Sequence, residues 1–190
     1  MKHIVVLLKH GVEEVEALTV VDFLRRSDID VTMLSCESTL EIEGGHEITF
    51  FADDYLSSGL TQYDGIYIPG GLLGAEALAK DETVLALIRK AHEEGKLIAA
   101  MCAGPLVLEK AGILEGRRIC CYPGMEQRTG SAKEHSEELT QRDGNIYTSR
   151  GPATAIYLAM ELVEALCGTE ERKNLEEKIL LRLVRDSVCN

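Results

Sequence analysis

Tryptophan is absent from this sequence, phenylalanine occurs 3 times and proline 4 times in 190 residues. So few prolines, with no low-complexity tract, exclude a proline-rich linker or a disordered tail. The 45% apolar and 27% charged content is the balance of a folded domain. No apolar run approaches the roughly 18 residues of a membrane span. The first run, Ile4 to Leu8, is shorter than the roughly seven-residue core of a secretory signal and has no small-residue cleavage site behind it. The cytoplasm is therefore the expected location, and no membrane partner is expected. Basic residues are scarce too, 20 Lys and Arg against 32 Asp and Glu. The net charge of -12 repels a phosphate backbone, which excludes nucleic acid as a main partner.

Spacing signals for metals and cofactors are missing as well. Cys36, Cys102, Cys120, Cys121, Cys167 and Cys189 contain no C-x-x-C pair, and the five histidines contain no H-x-x-x-H. Reduced thiols, no metal and no cofactor are the expectation. Gly70-Gly71-Leu72-Leu73-Gly74 is not G-x-G-x-x-G, so a dinucleotide site has no support.

What is present is an alternation of apolar runs and helical patterns. Ile4 to Leu8 is continuous and β-branched, the mark of a strand covered on both faces. A helical pattern from Val15 to Leu24 follows, closed by Arg25, Arg26 and Ser27, and Asp30 to Leu34 begins a second strand. Gly44-Gly45 marks a hairpin between Leu40-Glu41-Ile42 and Ile48-Thr49-Phe50. Gly65 to Ile68 and Leu97 to Met101 read as strands separated by one or two helices over 75–94, with a further helix from Gly104 to Lys110. Ile119-Cys120-Cys121 and Asn145 to Thr148 read as short strands. Pro152 introduces a long helix through Leu166, and Leu175 to Val188 forms a final amphipathic helix. The pattern predicts one α/β domain over residues 1–190, a flavodoxin-like three-layer sandwich whose sheet is mostly parallel with a small antiparallel hairpin.

In an open parallel sheet ligands bind outside the carboxyl ends of the strands, so the segments that follow strands carry the chemistry. Cys102 comes directly after the Leu97 strand and before Ala103-Gly104-Pro105, which suits a tight strand-to-helix turn that exposes the sulfur. Amides at a helix start lower a thiol pKa from about 8.5 toward 5. A buried, inert cysteine is the alternative. Glu13, Glu14 and Glu16 sit in the first turns of a helix. Capping accounts for Glu13 and Glu14, whereas Glu16, among Val15, Ala17 and Leu18, reads as a half-buried carboxyl able to act as a base. Gly70 and Gly71 are either a plain turn or a pair of unobstructed N–H donors for an oxyanion. Arg150, before Pro152, could reach the same edge or simply be solvated.

Together, Gly11-Val12-Glu13-Glu14-Val15-Glu16, Pro69-Gly70-Gly71-Leu72-Leu73-Gly74-Ala75, Ala99-Ala100-Met101-Cys102-Ala103-Gly104-Pro105 and Thr148-Ser149-Arg150-Gly151-Pro152-Ala153-Thr154 resemble, in order and spacing, the motifs of the ThiJ/PfpI superfamily. The similarity is to the branch of DJ-one and its bacterial relatives. It implies a homodimer in which Cys102 is a reactive, easily oxidised cysteine with Glu16 hydrogen-bonded to it. Gly70, Gly71 and Ala103 would border the pocket, and Tyr122, Arg150, Pro152 and His46 are candidate neighbours. It also implies a glutathione-independent glyoxalase or deglycase acting on small 2-oxoaldehydes or glycated substrates, or, as the alternative, a redox sensor or chaperone using oxidised Cys102. PfpI-type peptidases carry histidine after the cysteine. This chain has Ala103, which disfavours peptidase chemistry. It also has Tyr122-Pro123 where the branch often carries histidine and proline.

Overall fold

The computed structural model describes residues 1–60 and 62–188; Cys189 lies outside the described residues. The chain runs β1 (His3–Leu8), α1 (Glu14–Arg26), β2 (Asp30–Ser35), β3 (Glu41–Glu43), β4 (Thr49–Phe51), β5 (Asp54–Tyr55) and β6 (Gly65–Ile68). There follow α2 (Leu72–Leu78), α3 (Glu82–Glu93), β7 (Leu97–Met101), α4 (Pro105–Ala111), β8 (Arg118–Ile119), β9 (Glu134–His135), β10 (Thr140–Asp143) and β11 (Ile146–Ser149). The end of the chain is helical, with α5 (Ala155–Cys167), α6 (Thr169–Lys178) and α7 (Leu181–Val188).

Seven strands form one sheet in the order β10-β11-β7-β6-β1-β2-β5, parallel except for β10 on the edge. Side chains alternate across it. Ile4, Val6 and Leu8 of β1 pack with Val20, Leu24, Leu158 and Leu162 under α1 and α5. Val5 and Leu7 pack with Leu78, Val84, Ile88 and Leu108 under α2, α3 and α4. The continuous apolar run of β1 is explained by these two cores, each fully buried aliphatic side chain contributing ~1.5–3 kcal/mol. The β1-α1-β2 crossover leaves on one side of β1, while β6 lies on the other and leads away to β7. That reversal opens a crevice at the carboxyl ends of β1, β6 and β7.

The predicted sandwich is observed, and four local expectations change. Cys120 and Cys121 are not in a strand: β8 holds only Arg118 and Ile119 and pairs with β9 outside the main sheet. The Cys120 amide donates instead to Thr148 Oγ1 at 2.9 Å. Strand β10, too polar to read as a strand, forms an antiparallel edge on β11. The hairpin turn is longer than Gly44-Gly45, since β3 and β4 pair Glu43 with Thr49 and leave residues 44–48 in the loop. The last helix is broken into α6 and α7 at Leu180, whose φ of 60° no helix interior allows. Among the described residues no helix is long and apolar enough to cross a membrane.

Candidate active site

Three loops at the crevice interlock because glycine lets their backbones touch. A Cβ on Gly71, which has φ +88°, would stand 2.3 Å from the Gly11 carbonyl oxygen and 2.4 Å from the Glu13 nitrogen. The Glu13 amide donates to the Gly70 carbonyl at 3.0 Å. Cys102 follows β7 with φ 57°, a left-handed conformation uncommon for a residue with a side chain, and its own N–H is bonded to Ser149 of β11. This is the sharp strand-to-helix turn expected from the sequence. It is held on both sides, since the Tyr122 amide donates to the Cys102 carbonyl at 3.0 Å.

Glu16 lies beneath the thiol with no solvent exposure. Its Oε2 accepts the Gly70 N–H at 2.7 Å, and the fully buried Tyr67 hydroxyl donates to its main-chain carbonyl at 3.1 Å. A Cβ on Gly70 would fall 2.3 Å from Glu16 Oε2 and 2.5 Å from Cys102 Cβ, so carboxyl, glycine and thiol are packed against one another. Glu16 and Cys102 are close enough to shift each other's titration, yet Glu16 Oε1 has no partner at bonding distance among the described residues. We therefore read them as coupled neighbours whose mutual hydrogen bond is not closed. Burial pushes the Glu16 carboxyl up to about 7, against lowering contacts from Cys102 and the Gly70 amide.

The thiol departs from expectation. Burial, then the charge of Glu16, pushes Cys102 up to about 12, outweighing the Gly71 and Ala103 amides that favour a thiolate. The pair thus holds two protons below about pH 7 and a single one above it, which rests on the sulfur. The anion that remains is a thiolate only when that proton moves to Glu16.

Above the sulfur lies a cavity of about 540 Å³, lined by Gly71, Cys102, Ala103, Tyr122 and Pro152, with His46 and Glu13 also at its wall. Leu72 and Met125 complete the lining. Their participation was not legible from sequence, since a leucine after a glycine pair and a methionine in a loop carry no spacing signal. Besides Glu16, which lies under the thiol, two candidates fall outside the wall. Gly70 is beneath it, and its N–H is engaged by Glu16, so it does not offer an oxyanion donor. Arg150 also does not line the cavity; its charge acts on Cys120 and Cys121.

Capping fails as the account of Glu13 and Glu14. Glu13 occupies the N-cap position of α1 but makes no side-chain cap bond. Glu14 is 2% exposed and faces the hairpin loop, accepting the amides of His46 at 2.7 Å and Ile48 at 3.3 Å. The His46 ring joins them, with Nδ1 3.1 Å from Glu14 Oε2 and 3.3 Å from Glu13 Oε2. Among the described residues these three are the group whose donor atoms, all within 4.8 Å, could surround a cation. Glu14 already accepts two amides and the ring, so we read the group as a hydrogen-bonded network and assign no metal.

A parallel α/β sandwich with a strained cysteine turn over a buried carboxyl defines a class of cysteine-centred proteins. Residues 2–165 match the DJ-1/PfpI family, and the chain belongs to it. It is 34% identical over 185 residues to the Parkinson disease protein 7 homolog of Danio rerio, covering 95% of this chain and 98% of that protein. It is 34% identical to protein DJ-1 homolog B of Arabidopsis thaliana over 95% of this chain, but spans only 42% of that longer protein. Similarity at 29% identity extends over 94% of this chain and 95% of a glutathione-independent glyoxalase, DJR-1.2, of Caenorhabditis elegans. The crystal structure of Drosophila melanogaster DJ-1beta superposes with a TM-score of 0.91 at 32% identity, covering 94% of this chain and 97% of that one.

Proposed function

We propose that the protein converts small 2-oxoaldehydes such as methylglyoxal to hydroxy acids without glutathione, using Cys102 as nucleophile. The observation that carries this reading is the thiol on its strained turn, packed against the buried carboxyl of Glu16 at the base of a cavity. The similarity to a protein named as a glutathione-independent glyoxalase supports it. With the pair's single proton on Glu16, the thiolate adds to the aldehyde carbon, and the new alkoxide takes that proton to give a hemithioacetal. The Glu16 carboxylate then removes the C–H proton of that carbon and returns it to the neighbouring carbon through an enediolate, leaving an S-acyl thioester. The N–H groups of Gly71 and Ala103 face the sulfur and are the donors for the oxyanion, a role worth ~3 kcal/mol where such donors operate. Water then cleaves the thioester. The cavity exceeds a three-carbon aldehyde, which leaves room for glycated amino acids or nucleotides as deglycase substrates. Lactate release from methylglyoxal by wild type, Cys102→Ala and Glu16→Gln tests the reading. We expect turnover in wild type alone, and equal lactate from wild type and Cys102→Ala would sink it.

The unpartnered Glu16 Oε1 beside the thiol favours a second reading. A sulfinate on Cys102 would accept a hydrogen bond from protonated Glu16 and from the Gly71 and Ala103 amides, making the protein a redox sensor. Peroxide titration followed by intact mass separates the two: gain of two oxygens at Cys102 in a protein that never forms lactate selects sensing. We further propose a cytoplasmic homodimer. The exposed apolar side chains Val15 and Leu18 on α1 and Ile48 beside the hairpin, at 52%, 37% and 54% exposure, support that assembly.

A further inference from the structure

Hydrolysis of the thioester requires a group that takes a proton from water, and Glu16 is poorly placed for it. Its carboxyl is buried beneath the thiol, on the sulfur side of the acyl carbon where it moves the C–H proton, whereas water arrives from the opposite, cavity side. Of the side chains that do line it, an imidazole is the one whose ordinary titration falls in the neutral range, and His46 supplies it. The ring is oriented rather than loose: Nδ1 lies 3.1 Å from Glu14 Oε2, and Glu14 is fixed by the His46 and Ile48 amides. This is the arrangement of a histidine held by a carboxylate, which sets the tautomer so that Nδ1 carries the hydrogen and Nε2 keeps the lone pair.

We propose that His46, oriented by Glu14, is the general base that activates water to cleave the Cys102 thioester; this rests on the glyoxalase reading above. His46 Nε2 takes a proton from water as the water oxygen bonds to the acyl carbon. The tetrahedral adduct expels Cys102 as thiolate by breaking the C–S bond. The proton on His46 passes back to the Cys102–Glu16 pair, restoring its single proton, and the hydroxy acid ionises into solvent. Glu14 is a positioning residue, acting only through the ring. The hydrogen bond to Glu14, then the charge of Glu13, raises the His46 pKa, which keeps the base near the operating pH. The adjoining Glu13 carboxylate, 3.3 Å from Nδ1, adds to the same effect. His46 is exposed in the loop of residues 44–48, so its replacement leaves both cores intact.

The experiment compares wild type, His46→Gln and His46→Ala with methylglyoxal, in the presence of EDTA, by steady-state lactate release and by acid-quenched intact mass. In His46→Gln we expect turnover to fall by about 100-fold, and an acid-stable, hydroxylamine-labile adduct on Cys102 to accumulate. We expect free imidazole to restore part of the turnover of His46→Ala, and the His46 limb on the acidic side of the wild-type kcat profile to vanish in both variants, leaving the limb set by Glu16. Glu14→Gln should shift the His46 limb to lower pH without abolishing it. Turnover unchanged in His46→Gln, or lost without adduct and without imidazole rescue, overturns the role of His46 while the glyoxalase reading stands. Loss of wild-type activity in EDTA would make the Glu13, Glu14 and His46 group a metal site and overturn it too. If wild type releases no lactate at all, the glyoxalase reading fails and takes this step with it.

Discussion

At the scale of single residues, the site is governed by contacts too close for any side chain but the one present. Gly70 separates Glu16 from Cys102, and the 2.3 Å and 2.5 Å approaches its Cβ would make are shorter than any real carbon contact. Gly70→Ala must therefore push the carboxyl or the thiol aside. We expect it to abolish lactate formation and to lower stability by about 1–3 kcal/mol, as overpacking does, with assay and thermal unfolding as the readouts; retention of full turnover would contradict the packing described. Glu16 itself carries a pH signature. Its carboxyl is raised from 4.5 to about 7 by burial. The native state thus binds a proton the unfolded chain releases, and the resulting stabilisation is complete below pH 4.5 and lost as pH rises to about 7. Glu16→Gln removes that dependence. Relative to wild type it should gain on the order of 3 kcal/mol between those limits, measured by denaturant unfolding across pH 4–8; parallel wild-type and variant curves would refute the raised carboxyl. Cys102 and Glu16 were both legible in the sequence from their positions after a strand and inside a helix. The direction of the thiol shift was not, because it depends first on burial and then on a charge brought from 86 positions away in the chain, both set by folding alone.

At the scale of elements, the hairpin of β3 and β4 is joined to the body of the protein by Ile42, buried in the core under α1 with Leu40 and Phe50 against it, and by its loop. Gly11 and Gly45 make backbone bonds across that seam at 2.8 and 2.7 Å, and Glu14 adds the carboxylate that receives the loop amides. Glu14→Ala should leave the main sheet folded, cost about 1–3 kcal/mol for the donors left without a partner, and speed hydrogen exchange at His46 and Ile48. Unchanged exchange there would show that the backbone bonds alone hold the loop. The hairpin was readable from its extended flanks and glycine pair. Its docking was not, because first-turn acidic residues ordinarily mean capping and nothing local distinguishes one whose oxygens point at another element. The break at Leu180 is not legible in the sequence for a similar reason: the amphipathic pattern runs through it, and a left-handed leucine leaves no trace in periodicity.

At the scale of the whole molecule, the two-sided core and the order of the strands place every reactive group at one sheet edge. The exposed apolar residues near that edge, Val15 and Ile48, belong to the proposed dimer surface. Sedimentation equilibrium should give a dimer for wild type and a monomer for a Val15→Glu, Ile48→Glu double variant; a wild-type monomer would remove the assembly. What the sequence by itself determined is the architecture and the nucleophile. A doubly buried strand must be continuously apolar, alternation of strands and helices must give a parallel sheet, and the residue after such a strand must stand at its carboxyl end. Tertiary structure alone decided which neighbours meet that cysteine. It turned Gly70 inward to Glu16, left Arg150 off the cavity, and brought His46 from the hairpin loop to Glu14 on α1. Those pairings depend on loop conformations and on close backbone approach between segments distant in the chain, for which hydrophobic periodicity carries no information.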